Sequence, residues 1–429
     1  MSGKRVLVVG TTPDYVELIR KRWPGRVLFL TDLHHREGAV EPAPEPDEEV
    51  VSDLSDDISA IYATQNLEEH LSRYDLALSG VTCYDCESLE LASVIARWWK
   101  LPFHSERSVL LSRNKYESKR VWDEKGVYCP ASAFAGNKRE LSKALSITGL
   151  PAVLKPLTGA GSELVFRCET EGEAAKALDF ILDSLSAHHD LRMYPVGGRT
   201  SPRNRIVVEE WLDLNEFSCE FILTGEYAKV FRVAKKVREL GEDGSPRTLA
   251  YLVPALARTG LAPGKLEEFM EYAARALDFT SGLLMADFFV SFGRPVILEL
   301  TPRPSGDCIP HLTRLASGFD TIGAALDLAE GRPLALPREE DYRTMAGLRL
   351  LAKKAGVIKS IDAGKIAAAP GVREVYIRRS PGHLVALPPE DYDSFVLGHV
   401  IFEPGPAASL EEQCETLSAL LKVEYEAAR

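Results

Sequence analysis

The stretch LLMADFFVSFGRPVILELTPRPSGD, Leu283 to Asp307, decides the fold. Two apolar runs, 284–290 and 296–300, flank a Ser-Phe-Gly-Arg-Pro break, the pattern of a β-hairpin. A turn centred on Gly293 sets Asp287 directly opposite Glu299. Paired side chains on one hairpin face have Cβ atoms about 5 Å apart. Two carboxylates that close repel, and their neighbours are apolar, so burying them bare is costly. A divalent cation offsets both problems, and Mg²⁺, a hard ion that takes oxygen ligands, suits the pair. Thr301, two residues past Glu299, shares that face. Arg303 adds a permanent positive charge in a Pro-flanked loop. Carboxylates, a metal and a fixed guanidinium are what phosphoryl transfer requires. The plainer alternative is a pair of hairpin carboxylates facing water.

The bulk numbers narrow the class. A chain of 429 residues predicts roughly three domains. Hydrophobic content of 45% and charged content of 27% are ordinary for a globular protein. No apolar run approaches the roughly 18 residues of a membrane span. The opening MSGKRVLVVG reads as a first strand rather than a signal peptide. A net charge of −12 argues against nucleic acid or an anionic membrane as partner. Seven scattered cysteines fit a reduced cytoplasmic protein. Cys83 and Cys86 form a CxxC with no second pair and no nearby histidine, so they read as incidental loop thiols rather than a zinc or thioredoxin-like site.

Along the chain, strand-like runs at 6–9 and 27–30 flank a helical pattern at 15–23, a βαβ opening. Residues 37–72 contain no Lys or Arg, and the Pro-rich acidic EPAPEPDEEVVSDLSDD reads as a mobile surface loop. A strand at 74–79 and a helix at 86–99 close a first domain, 1–110. A central region, 111–335, alternates strands and helices, with a helix at 114–125 and a turn-rich loop at 187–204. RPLALPREED reads as a linker. A segment 336–429 follows, with short strands and one closing helix at 410–427.

Two further segments look chemical. Gly159, Ala160, Gly161 and Ser162 follow Lys155-Pro156 at a strand end. Small residues let backbone N–H groups approach phosphate oxygens, although the run is neither a Walker A loop nor GxGxxG. In VVEEWLDLNEF, Glu209 and Glu210 sit at a strand end, Trp211 and Leu212 offer an apolar wall, and Glu216 follows. Such carboxylates can hold an amino group and ribose hydroxyls, or be solvated acids at a strand edge.

Taken in order, Lys115 before GVYCPAS, PAVLKPLTGAGSELV, VVEEWLDLNEFSCEF and MADFFVSFGRPVILELTPRPSGD resemble the ATP-grasp superfamily. The C-terminal part, with Gly-Val-Ile-Lys and LGHVIFEPG, is similar to the closing subdomain of carboxylate–amine ligases and biotin-carboxylase-like members. The resemblance implies an α/β (α+β ATP-grasp) fold: a Rossmann-like first domain, a two-lobed ATP-grasp region with a lid at about 127–212, and a small β-rich C-terminal subdomain. It implies that Lys115 and Lys155 touch ATP phosphates, Lys155 also lying near the adenine. Gly159, Ala160, Gly161 and Ser162 would cover the β- and γ-phosphates. Glu209 would take the adenine amino group, Leu212 would offer its backbone to the ring, Glu216 would bind the ribose, and Glu210 counts among the ATP-binding residues. Asp287 and Glu299 would hold two Mg²⁺ ions, with Mn²⁺ as a substitute. Thr301 stands where the family's third ligand is Asn. Met285 stands where D-alanine–D-alanine ligases carry an arginine, leaving Arg303 for the anion. Ser305, Gly306 and His311 would border the substrate.

The implied activity is ADP-forming ligation of a small carboxylate and a small amine, amino-acid-like, through an acyl phosphate. A carboxyphosphate-forming relative of biotin carboxylase or the purine ligases is the alternative enzyme, and a non-catalytic nucleotide-binding regulator the alternative class. A homodimer is compatible with either.

Overall fold

A computed structural model describes residues 3–55, 57–188, 190–195, 203–241 and 245–426. Part of the 187–204 loop reading therefore lies outside the described residues. No helix among the described residues is long and apolar enough to cross a membrane.

The chain opens on a parallel sheet in the order Glu49–Ser52, Val27–Asp32, Gly3–Val9, Leu76–Thr82. Its continuous Val/Leu runs are buried on both faces, as parallel strands are. Leu7, Val9, Leu28 and Leu30 pack on Ala63, Leu67 and Ile95. Val6, Val8 and Phe29 pack instead on Ile322, Ala325 and Leu326. The latter belong to the helix Thr321–Ala329, capped by the Asp320 side chain. Arg26 clamps the same contact through Asp327 (2.6 Å) and Glu330 (2.7 Å).

The acidic segment is not a loop throughout. Residues Glu49–Ser52 form the edge strand of this sheet, and Asp57–Arg73 is a helix. Val50 is buried, which a four-residue strand needs only once, so its apolar signal was hidden by the surrounding Pro and Glu.

An antiparallel sheet of eight strands forms the centre of the molecule. Its order is Arg294–Thr301, Gly282–Ser291, Glu216–Leu223, Ala228–Leu240, Pro246–Val253, Met345–Leu351, Val396–Phe402, Val372–Ile377. Strands from beyond residue 336 thus continue the same sheet. On one face Phe217, Cys219, Phe221 and Phe288 join Trp122, Met270 and Ala273 in the largest core. Those last three come from helices Lys115–Glu124 and Pro263–Ala276. The first is capped by the Asn114 side chain, which accepts from the N–H groups of Tyr116 and Glu117. The other face is polar where it floors a cavity, and apolar where the helix Ile309–Ser317 packs on it.

A second antiparallel sheet, Ser132–Ala135, Ile206–Glu210, Ala152–Pro156, Phe166–Cys168, forms the lid lobe. It packs on helices Lys138–Thr148 and Glu171–Ala187. A small sheet of Leu384–Val385, Gly356–Asp362 and Lys422–Tyr425 completes the fold. The closing helix is shorter than its sequence pattern: Leu410–Ala419 is helical, and Lys422–Tyr425 leaves it as a strand. Val423 and Tyr425 gain a ladder against Gly356–Asp362, which outweighs local helix propensity.

Candidate active site

The hairpin is present, and Asp287 pairs with Glu299, but by a different route from a turn centred on Gly293. The turn is the two-residue Phe292-Gly293, with Ser291 opposite Arg294. Both turn residues have positive φ, 46° and 70°, the geometry that matches strand twist in a tight hairpin. Counting from that turn alone sets Asp287 against Leu298. A bulge after Phe288 and Ile297 makes Leu298 the extra residue and brings Glu299 opposite Asp287. The Leu298 carbonyl accepts from Lys119 Nζ at 2.9 Å.

Every sequence-predicted site residue except His311 lines one cavity of about 700 Å³. The central sheet supplies Glu216, Asp287, Glu299 and Thr301. The loop after it supplies Arg303, Ser305 and Gly306. The lid supplies Lys155, Gly159, Ala160, Gly161, Ser162, Glu209, Glu210 and Leu212, and a helix N-terminus supplies Lys115. His311 lies elsewhere. Its helix, Ile309–Ser317, turns that residue to Glu374, with Nδ1 2.8 Å from Oε1.

Lys115 Nζ donates to the Gly159 carbonyl at 2.7 Å, which ties the small-residue loop to the helix. Gly159 has φ of 115°, and a Cβ there would meet the Tyr194 hydroxyl at 2.8 Å, so both conformation and space require glycine. Tyr194 in turn donates to Glu163 at 2.9 Å.

Glu209 is buried between two lysines, 2.7 Å from Lys119 Nζ and 2.7 Å from Lys155 Nζ. Burial pushes its carboxyl up, but the two ammonium groups outweigh that and hold it down. Glu299 is held down in the same way, burial being overcome by Lys115, Lys155, Lys119 and Lys236. Asp287 goes up: burial dominates, Lys236 opposes it, and repulsion from Glu216 and Glu299 adds to the rise. Its Oδ1 is buried with no hydrogen-bond partner. Paired carboxylates, one with a stranded oxygen, are a donor set that fits Mg²⁺.

Lys236 and Lys119 are missing from the sequence reading. Lys236 Nζ bridges Glu216 (2.6 Å) and Asp287 (2.5 Å). Both left a signal. Lys119 stands four residues after Lys115, hence on the same helical face. Arg232, Lys236 and Arg238 alternate in KVFRVAKKVREL, as Glu216, Ser218 and Glu220 do in EFSCEFIL, and antiparallel pairing brings the two sets together. Arg232 and Glu220 form an ion pair at 2.8 Å with both side chains 0% exposed. The pair fastens the Pro-Arg-Pro-Ser-Gly loop, because Ser305 N donates to Glu220 (2.7 Å) and Arg232 donates to Ser305 Oγ (2.6 Å).

Cys86 is not an incidental thiol. Arg303 directs Nε and Nη2 to its Sγ, each at 3.1 Å. Burial pushes that thiol up, so Cys86 is an uncharged rest for the fork. Glu87, pushed up to about 7 by burial and then by Asp85, also lines the cavity.

Comparison with known proteins agrees with this architecture. Residues 148–311 match the family model of the ATP-grasp domain, and 349–426 match L-amino acid ligase C-terminal domain 2. The uncharacterised protein y4rH of Sinorhizobium fredii is 27% identical over 330 residues, covering 74% of this chain and 64% of that protein. Dapdiamide A synthase of Enterobacter agglomerans is 24% identical over 281 residues, covering 63% of this chain and 62% of the relative. The matches thus span less than two thirds of either relative's own length. The crystal structure of L-amino acid ligase from Bacillus licheniformis superposes with a TM-score of 0.77 over 100% of both chains at 17% identity, a likeness of fold. The chain thus carries an ATP-grasp domain followed by an L-amino acid ligase C-terminal domain 2, and both matched segments contribute strands to one continuous sheet.

Proposed function

We propose that this chain is an ADP-forming carboxylate–amine ligase acting on amino-acid-like substrates. The observation that carries the reading is the convergence of Lys115, Lys155, Asp287, Glu299 and Arg303 on one cavity. An acid's carboxylate attacks the γ-phosphorus of ATP, ADP leaves, and an acyl phosphate forms. The amine then attacks the acyl carbon, phosphate leaves, and the amine's proton passes to solvent.

Lys115 and Lys155 offset phosphate charge, and the loop of Gly159, Ala160, Gly161 and Ser162 offers backbone N–H groups. Glu209, Glu210, Leu212 and Glu216 border the nucleoside. Asp287, Glu299 and Thr301 would hold Mg²⁺, two ions, with Mn²⁺ as a substitute. The metal, when bound, neutralises charge on the transferring phosphoryl group. Arg303, swung from Cys86, would contact that group through its planar fork, with Ser305 and Gly306 beside the acyl end. All seven cysteines are free, as suits a cytoplasmic enzyme.

The test is the nucleotide product. ADP and phosphate are expected, with ¹⁸O from labelled carboxylate appearing in the phosphate; stoichiometric AMP would overturn the mechanism. The carboxyphosphate reading is favoured only by the wider fold likeness, and bicarbonate-dependent ATP turnover without an organic acid would support it instead.

A further inference from the structure

His311, Glu374 and His399 converge outside the cavity, at the far edge of the central sheet. Tyr376 pairs with His399 across Val372–Ile377 and Val396–Phe402. Glu374 lies two residues before Tyr376, so all three share one face of the sheet. The same face carries Ile401, which packs on Ile309 and Leu312 of the helix Ile309–Ser317. That helix brings His311 down onto the strands.

We propose that His311, Glu374 and His399 form a second metal site, selective for a Zn²⁺-class transition ion. The ligand atoms of the three residues lie within 4.8 Å of one another. Glu374 Oε1 is 2.8 Å from His311 Nδ1 and 3.4 Å from His399 Nε2. Tetrahedral zinc with bonds of about 2.0–2.1 Å separates its ligands by about 3.3 Å, so small side-chain shifts admit the ion. Arg314 Nη2 holds the other carboxylate oxygen at 3.3 Å, leaving Oε1 to bind as a single donor. His399 and His311 are mostly buried, with side chains 8% and 19% exposed, and Tyr376 packs against both rings, which fixes them. Two imidazoles and one carboxylate leave a fourth position for water. The set differs in kind from Asp287 and Glu299, because imidazole favours zinc, cobalt and nickel over magnesium. An ion there would staple the helix that follows the Arg303 loop to the C-terminal strands.

The experiment is Co²⁺ titration of the full, chelator-treated chain in excess Mg²⁺, read by visible absorption. One Co²⁺ per chain with the intense bands of a four-coordinate site is expected, and Zn²⁺ should bleach them. His311→Gln and His399→Gln should each abolish the bands, and with them a Zn²⁺-induced rise of a few degrees in Tm. If His399→Gln fails to fold, the more exposed His311→Gln carries the test alone. Absence of the bands in the unaltered chain, or their persistence in His311→Gln, would overturn the site and leave a hydrogen-bonded network. Excess Mg²⁺ keeps Co²⁺ from the Asp287 and Glu299 oxygens, whose occupants would give only weak bands.

Discussion

Lys236 closes on Asp287 from the neighbouring half of the sheet, Nζ to Oδ2 2.5 Å, so the candidate metal carboxylate already carries a counter-charge. Removing the ammonium leaves Asp287 without its counter-charge in a buried setting, and Glu216 with Arg238 alone. Lys236→Met is expected to cost about 3–5 kcal/mol, the range for breaking a buried pair from one side. Mg²⁺ should restore more of the melting temperature in this variant than in the parent. Melts with and without Mg²⁺ check both parts.

The metal ligands should rank by charge. Glu299→Gln is expected to abolish turnover and Asp287→Asn to lower it severely, while Thr301→Asn keeps activity and tightens Mg²⁺. Turnover across a Mg²⁺ titration reads all three. A silent Glu299→Gln beside a dead Thr301→Asn would place the metal elsewhere.

Arg303 is held by geometry as well as charge. Arg303→Lys keeps the cation but loses the fork, so kcat should fall by about 100-fold while ATP affinity and Tm change little. Cys86→Ala removes the acceptor on which the guanidinium rests, and should cost far less. Steady-state kinetics beside a nucleotide-binding isotherm separate the two. An active Arg303→Lys enzyme would make this arginine structural.

The Arg232–Glu220 pair offers a cycle. Glu220→Leu and Arg232→Met should each destabilise by about 3–5 kcal/mol, whereas the double variant should recover much of that loss. Because Ser305 hangs on both residues, the double variant should still lose kcat. Urea unfolding and activity, measured together, test whether the pair matters for stability or for the loop.

His104 supplies the pH dependence. Burial lowers its pKa to about 4, and its ring stands edge-on to Phe279. The folded value lies below the unfolded one, near 6.5. The unfolded chain therefore binds more protons between those values, and stability is lost as pH falls from about 6.5 toward 4. Between pH 7 and pH 5 the loss is on the order of 2 kcal/mol. His104→Leu should flatten the acid limb in that window. Unfolding free energies at pH 7 and pH 5 for both proteins give the comparison, and equal slopes would assign the limb to other groups.

Much of this was legible in the sequence because it is local. The hairpin, the small-residue loop after Lys155 and the acids after Val208 each declare themselves within a dozen residues. What escaped depends on distance. Cys86 and Arg303 meet across 217 positions, which no local pattern encodes. The alternating cations from Arg232 to Arg238 were present, but only the register against Glu216 and Glu220 gives them partners. His311 was near the right loop yet one helix too far, since its helical phase turns it toward Glu374. The Glu49–Ser52 strand was hidden because composition averages over more residues than the strand has.

The Leu298 bulge divides the hairpin into two registers. Inside it, Lys119 grips the strand and the carboxylates keep their spacing. Outside it, a short ladder leads to a tip where Phe292 projects fully into solvent. Between the tip and Asp287 lie Phe288 and Ile297, both buried in the main core. The tip is therefore a natural attachment point for a dye or surface tether that leaves the inner spacing untouched.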